Sequence, residues 1–305
     1  MIRPFEPADA EAVVALVRGV AEDWVVSPQG LSYRMAAHPQ RARQEAWVAV
    51  EDGLVVGFAR ARLLWEVASE RAATLWLAVR AEKRRRGIGS ALLRQAENHL
   101  ERAGAGKLES FADEEAGRAF LEAHGFQRSR VEHVSALDPR LVDPSAAELE
   151  EAKAAEGFRL VSLADVLDRP QELHAVYAGV LVDVPGHFTE DDLRYDEWVR
   201  ECLGDPDLSS AGSSVVLSAE RVVALSFLLT DGTGRGASDL TGTLPEFRRR
   251  GLARLAKLRT IRWAADNGIE QMVTGNDEQN AGILALNRSL GYKPLAERTF
   301  YLRGG

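Results

Sequence analysis

The sequence predicts an α/β fold written twice, as two tandem domains, each a mixed sheet with helices at its strand ends. Three observations predict it. An arginine-glycine loop occurs twice, as Arg84-Arg85-Arg86-Gly87-Ile88-Gly89 and Arg248-Arg249-Arg250-Gly251-Leu252-Ala253, and each copy opens an amphipathic helix. A second glycine follows at nearly the same distance, 38 residues from Gly87 to Gly125 and 40 from Gly251 to Gly291. Between the copies lies a proline-bearing stretch, 137–144, then an Ala/Glu-rich polar helix, 146–155. Prolines break regular structure, so the domains are expected at 1–144 and 157–305, with a linker at 145–156. A chain of 305 residues suits two domains of that size.

In the first copy, residues 2–5 read as a short strand and 8–18 as a helix started at Pro7. Apolar runs at 47–50 and 55–61 flank Glu51-Asp52-Gly53, which signals a hairpin. Residues 74–79 form the strand that enters the arginine loop, and 90–103 a helix stopped at Gly104. A strand at 107–111 and a helix at 114–124, closed by Gly125, follow. The second copy repeats the order. It has a strand at 158–161, a hairpin of 212–217 and 221–229, and a strand at 238–243 before the loop. It then has a helix at 252–267, a strand at 271–274 and a helix at 280–290.

Composition narrows the classes of function. Hydrophobic residues at 46% and charged residues at 28% match an ordered globular chain. The net charge of -8 argues against bulk nucleic-acid binding, and no aromatics interleave with the arginine runs. Cys202 is the only cysteine, so no intrachain disulfide can form and a reducing, cytoplasmic setting is expected. The six histidines show no HxxxH pairing and CxxC is absent, so no metal site is expected. No segment reads as a signal peptide or membrane span.

The first turn of a helix carries unpaired N–H groups and a partial positive charge, and phosphate binds there readily. Gly87 and Gly89, or Gly251 and Ala253, leave the backbone open to a pyrophosphate that the arginines neutralise. Neither loop is a Walker or a Rossmann motif.

Residues 79–89 and 243–253 resemble the pyrophosphate motif, R/Q-x-x-G-x-G/A, of the GNAT superfamily of N-acyltransferases. The two copies cover nearly the whole chain, and the tandem arrangement resembles that of mycothiol synthases. The resemblance implies two mostly antiparallel, twisted sheets flanked by helices. It implies acetyl-CoA as cofactor, held by the backbone of Leu77, Ala78 and Val79 in one copy and of Thr241, Gly242 and Thr243 in the other. The pyrophosphate would rest on Arg84 to Ser90 (Arg84, Arg85, Arg86, Gly87, Ile88, Gly89, Ser90) or on Arg248 to Arg254 (Arg248, Arg249, Arg250, Gly251, Leu252, Ala253, Arg254).

It further implies a polar residue at the start of the last helix, which is Asn280 in the second copy and Glu114 in the first. A tyrosine acid, four residues before the second glycine in the family, is replaced by Leu121 and Asn287. The second copy keeps more polar equipment. The expected activity is therefore acetyl transfer to a primary amine of a small molecule in the second domain, with the first a binder or scaffold. A non-catalytic acetyl-CoA-binding or sensing protein is the alternative.

Asp239 is the candidate base, sharing a face with Thr241 by strand alternation, and Asn287 is the second candidate catalytic residue. Tyr177, Tyr195, Tyr292 and Tyr301 are candidates for a displaced acid, with Tyr292 reading as core. Trp24 and Trp65 fall in segments that resemble substrate-side elements. Pro185-Gly186-His187 precedes an acidic stretch in which Glu190, Asp191, Asp192 and Glu197 either attract a cationic amine or form a solvated face. A monomer or homodimer is expected, with neither nucleic acid nor membrane as partner.

Overall fold

The computed structural model describes residues 1–21, 23–64, 72–141, 146–184 and 193–304. In chain order the elements begin with β1 (Ile2–Pro4), α1 (Ala10–Arg18), α2 (Pro28–Ala37), β2 (Glu45–Glu51), β3 (Leu54–Leu63) and β4 (Ala72–Val79). They continue with α3 (Ile88–Arg102), β5 (Lys107–Ala112), α4 (Glu115–Ala123), β6 (Gln127–Leu137), α5 (Ala146–Ala155) and β7 (Phe158–Ser162). Next come α6 (Pro170–Leu181), α7 (Tyr195–Trp198), β8 (Ser214–Ser218), β9 (Arg221–Thr230) and β10 (Arg235–Thr243). The chain ends with α8 (Leu252–Asp266), β11 (Gln271–Asp277), α9 (Ala281–Ser289) and β12 (Lys293–Arg303).

These elements form two compact units, Met1–Glu132 with Ala296–Gly305, and His133–Leu295. The expected boundary at 144–145 lies outside the described residues. The stretch read as a linker is α5, which packs its Leu149 onto the core of the second unit. The end of β12 belongs to the first unit, where Thr299–Arg303 pair antiparallel with β5.

Each unit is a mostly antiparallel sheet between helical layers. The first runs β1-β2-β3-β4-β5-β12, with β4 and β5 a parallel pair. The second runs β11-β10-β9-β8-β7, with β10 and β11 a parallel pair. Ala10, Val13, Val14 and Val17 recur at helical spacing and turn α1 onto one face of the first sheet. Leu92, Leu93, Ala96 and Leu100 do the same for α3 on the other face, joined by Leu121 of α4. In the second unit α6 and Trp198 of α7 cover one face, while α8 and α5 cover the other.

The hairpins form as expected. The turn between β2 and β3 places Asp52 and Gly53 at φ 50 and 79, and that between β8 and β9 places Ala219 and Glu220 at φ 46 and 67. Positive φ at both central residues matches the twist of the flanking strands. No helix among the described residues is long and apolar enough to cross a membrane.

Candidate active site in two strand wedges

Both parallel pairs part soon after they start. β4 and β5 are in register only over Ala72–Thr74 and Lys107–Glu109. β10 and β11 are in register only over Arg235–Ala237 and Gln271–Val273. Beyond those points each sheet opens into a wedge. Leu77, Ala78 and Val79 pair with β3, and Thr241, Gly242 and Thr243 with β9, so each segment keeps its other edge facing the wedge. An unpaired strand edge can bind an extended, amide-bearing arm by backbone hydrogen bonds.

The two loops below the wedges are near copies. Arg84 Nε donates to Val79 O at 3.1 Å, and Arg248 Nε donates to Thr243 O at 3.2 Å. Arg85 and Arg249 sit at φ 62 and 60, and Gly87 and Gly251 at φ 82 and 77. Left-handed backbone at these positions curls the loop under the helix, and glycine takes it without strain. Neither α3 nor α8 has a side-chain cap at its start. The first ladder bonds are Ala91 N to Gly87 O and Leu255 N to Gly251 O, each 3.0 Å. The N–H groups of Ile88, Gly89 and Ser90, and of Leu252, Ala253 and Arg254, therefore have no acceptor within their helices. An added Cβ on Gly87 would meet nothing within 4 Å. Open backbone donors with clustered arginines suit a pyrophosphate.

Residues 15–126 match the family model of the acetyltransferase (GNAT) family. The chain carries a GNAT acetyltransferase domain over that segment. It is an N-acetyltransferase by that kinship, with two GNAT-type units in tandem. It is 28% identical over 308 residues to the mycothiol acetyltransferase of Thermobifida fusca, covering 95% of this chain and 93% of that one. A mycothiol acetyltransferase from a Nocardioides species is 24% identical over 267 residues, covering 84% and 83%. Among solved structures, a tandem GNAT protein from the clavulanic acid biosynthesis pathway has the same fold, with TM-score 0.76, 19% identity and coverage of 100% and 98%. A GCN5-related N-acetyltransferase from Sphaerobacter thermophilus superposes with TM-score 0.71, 16% identity and coverage of 100% and 95%.

The two GNAT units differ inside their wedges. β4 runs in unbroken register with β3, from Gly57 against Val79 to Leu63 against Ala73. β10 shifts register against β9 between Ser238 and Thr241. Such a bulge bends a strand and re-aims its side chains. It also breaks the alternation expected to put Asp239 and Thr241 on one face. Thr241 Oγ1 lies 3.0 Å from Ser226 Oγ, and Thr260 of α8 donates to Ser226 O at 3.4 Å. Asp239 is exposed, and its charge acts on Tyr177 of α6 and on Cys202. Burial first, and Asp239 second, push the Tyr177 phenol and the Cys202 thiol well above their ordinary values, so both stay neutral.

In the first unit, aromatic rings fill the corresponding space. Trp76 of β4 and Phe111 of β5, both past the point where the strands part, stack at 6.2 Å. Trp24 stacks on Trp76 at 4.3 Å. Leu121 is 3% exposed and lies in the core. Glu114 does not cap α4, and its carboxylate instead accepts from Arg84 Nη1 at 2.8 Å. Ser90 Oγ pairs with His124 Nε2 at 3.1 Å. His124 Nδ1 donates to Phe120 O at 2.8 Å.

The second unit is polar at the matching places. Asn280 Oδ1 caps α9 by accepting from Ile283 N at 3.3 Å. Asn287, 2% exposed, accepts from Lys257 Nζ at 2.6 Å and donates to Asn276 Oδ1 at 2.7 Å. Arg254 Nη1 donates to Ser289 Oγ at 3.0 Å, and Arg248 Nη2 pairs with Asp183. The Arg250 guanidinium stands 5.7 Å from the Phe247 ring. Leu252 is 1% exposed and packs in the core, so only its backbone faces the loop.

The candidate acids separate. Tyr292 is 4% exposed in the core, its hydroxyl 3.2 Å from Ser238 Oγ. Tyr301 belongs to the first unit, where its hydroxyl donates to Glu122 at 3.0 Å. Tyr195 lies against His174 at 5.5 Å, and Tyr177 against Trp198 at 5.5 Å. Trp65, Pro185, Gly186, His187, Glu190, Asp191 and Asp192 lie outside the described residues. Sequence reading missed Lys257, Asn276 and Lys153, whose Cε would stand 3.7 Å from a Cβ on Gly251. A lysine within the apolar stripe of α8 was the available signal for Lys257.

Proposed function

We propose that the second unit transfers the acetyl group of acetyl-CoA to a primary amine of a small molecule, and that the first unit holds the cofactor without turning it over. The contrast between the wedges carries this reading: a bulged β10 beside Asn276 and Asn287 in one unit, stacked Trp76 and Phe111 in the other. The uncapped helix starts and unpaired strand edges fit the cofactor's pyrophosphate and amide arm. The relatives named as mycothiol acetyltransferases support acetyl as the group moved.

Acetyl-CoA supplies an activated acetyl group as a thioester. The chain supplies the rest. Leu252, Ala253 and Arg254 bind phosphate through their N–H groups, and Arg249 and Arg250 balance its charge. The free edge of Thr241, Gly242 and Thr243 lays the arm along the wedge and offers N–H donors where negative charge develops on the carbonyl oxygen. Asp239, exposed at the bulge, accepts the proton that the attacking amine sheds. Leu77, Ala78 and Val79, with Arg84 to Ser90, hold the cofactor in the first unit, where Leu121 offers no proton.

Calorimetric titration of acetyl-CoA into the parent chain, Gly87→Glu and Gly251→Glu tests this. Each substitution puts a carboxylate where pyrophosphate is expected. The parent should bind at both units and each variant at one, with turnover against a panel of amines lost only in Gly251→Glu. Turnover surviving Gly251→Glu, or no binding to the parent, refutes the reading.

A further inference from the structure

Lys257 is 1% exposed on the inner face of α8, and among the described residues no carboxylate acts on it. Its Nζ meets Asn287 Oδ1 at 2.6 Å and the face of the Tyr292 ring at 4.8 Å. Burial alone draws this ammonium down to about 7. Tyr292 adds no charge, because burial holds its phenol neutral. A buried ammonium whose partner is a neutral amide costs stability.

The first unit shows that the fold does not require this pair. Counted from the loop glycine, Lys257 occupies the place of Leu93, and counted from the second glycine, Asn287 occupies the place of Leu121. Leu93 and Leu121 are 1% and 3% exposed in one core cluster. The same helices therefore pack with two leucines where the second unit buries a lysine and an asparagine.

The lysine also fixes the amide's direction. A charged ammonium only donates, so Asn287 Oδ1 faces Lys257 and Nδ2 faces away. That Nδ2 donates to Asn276, which lies on β11 beyond Val273, the last residue paired with β10. Ser238, the first β10 residue past the same point, holds Tyr292 in place. An ammonium followed by amide N–H groups thus runs from α8 to the wedge, and among the described residues no carboxylate acts on the ammonium itself.

We propose that Lys257 is a positioning residue of the second unit, acting through Asn287 to make this wall of the wedge electropositive so that the coenzyme A sulfur leaves as a stabilised thiolate. The inference rests on the second unit being the transfer site. As the nitrogen–carbon bond forms, the carbon–sulfur bond breaks and its electron pair leaves on sulfur. The proton shed by nitrogen goes to Asp239 and returns to sulfur when the thiol departs.

Coenzyme A itself is the probe. It is bound to the full chain carrying Gly87→Glu, which restricts loading to the second unit, and thiolate ultraviolet absorbance is followed with pH, with desulfo-coenzyme A as blank. Adding Lys257→Leu and Asn287→Leu together, a pair the first unit already accommodates, should lower the ionised fraction of bound thiol near pH 7 about tenfold. Desulfo-coenzyme A should bind unchanged, which a purely structural role would not predict. Equal ionisation with binding intact overturns the inference alone. Absence of coenzyme A binding before the leucines are added removes the reading of the wedge, and the inference with it. Should the leucine pair abolish desulfo-coenzyme A binding, Asn287→Asp decides. It keeps the lysine's partner but cancels its charge, and an unchanged thiol there overturns the inference.

Discussion

Gly242 is the position where the second unit leaves least room. A Cβ built on it would lie 2.2 Å from Cγ1, 2.8 Å from Cγ2 and 3.0 Å from Cβ of Val180. Carbon atoms rest at about 3.5–4 Å, so Gly242→Ala must move α6 off β10 by more than an ångström or rotate a packed valine. Val180 is 5% exposed in the core and has no free space to turn into. Overpacking of this kind costs about 1–3 kcal/mol. No left-handed backbone is recorded at Gly242, so the clash accounts for the whole effect. Val180→Ala removes both offending methyl groups and by itself costs roughly 1.6 kcal/mol plus a cavity contribution. The double variant should be more stable than the two single losses predict, with a coupling of about 1–3 kcal/mol. Urea denaturation of the four proteins measures that cycle. Calorimetry with acetyl-CoA should show weakened binding in Gly242→Ala, recovered in the double variant, because Thr241–Thr243 form the wall that α6 would displace. If Gly242→Ala is as stable as the parent, or if the two changes are additive, α6 is not seated on Gly242 as described.

Other outcomes follow from buried charge. Arg298, in the first unit, donates to Asp113 at 2.9 Å, to Asp23 at 2.7 Å and to Glu132 at 3.3 Å, and lies 4.3 Å from the Phe111 ring. Arg298→Met leaves three carboxylates facing one another, and a loss of about 3–5 kcal/mol is expected in thermal or urea unfolding. Burial already raises Glu132 above its ordinary value, so the variant should regain stability as the pH falls and Glu132 takes up a proton. Lys257 gives the second unit a slope on the alkaline side. Its folded value of about 7 lies below the ordinary 10.5, so between those limits the unfolded chain binds more protons. Stability should rise with pH across that window, by at most about 1.4 kcal/mol per pH unit, and the Lys257→Leu/Asn287→Leu variant should show no such slope.

The loops were legible because their signal is local. Arginine, glycine and a following amphipathic stretch specify a strand–loop–helix by themselves, and both copies adopt it with matching positive φ at Arg85 and Arg249. Leu121 and Asn287 were likewise found by counting, and the structure places both on the inner side of their helices, 3% and 2% exposed. The bulge in β10 was not legible. Strand alternation assigns a face to every residue, and only pairing with β9 reveals the extra residue that carries Asp239 and Thr241 apart. Tyr301, a candidate acid within the expected second domain of 157–305, is carried by strand pairing to β5 of the first unit.

The sequence by itself determined that the chain holds two copies of one α/β plan, where each arginine-glycine loop begins, and which copy lacks a polar residue four places before its second glycine. Those features depend on spacing along the chain and on the conformational freedom of glycine. Tertiary structure alone decided that β12 ends in the first unit, that Trp76 and Phe111 close one wedge, and that Lys257 stands behind Asn287 in the other. Each of these depends on residues far apart in the chain. Which of them meet, and in what dielectric, is fixed only when helices and strands have packed and water has been excluded between them.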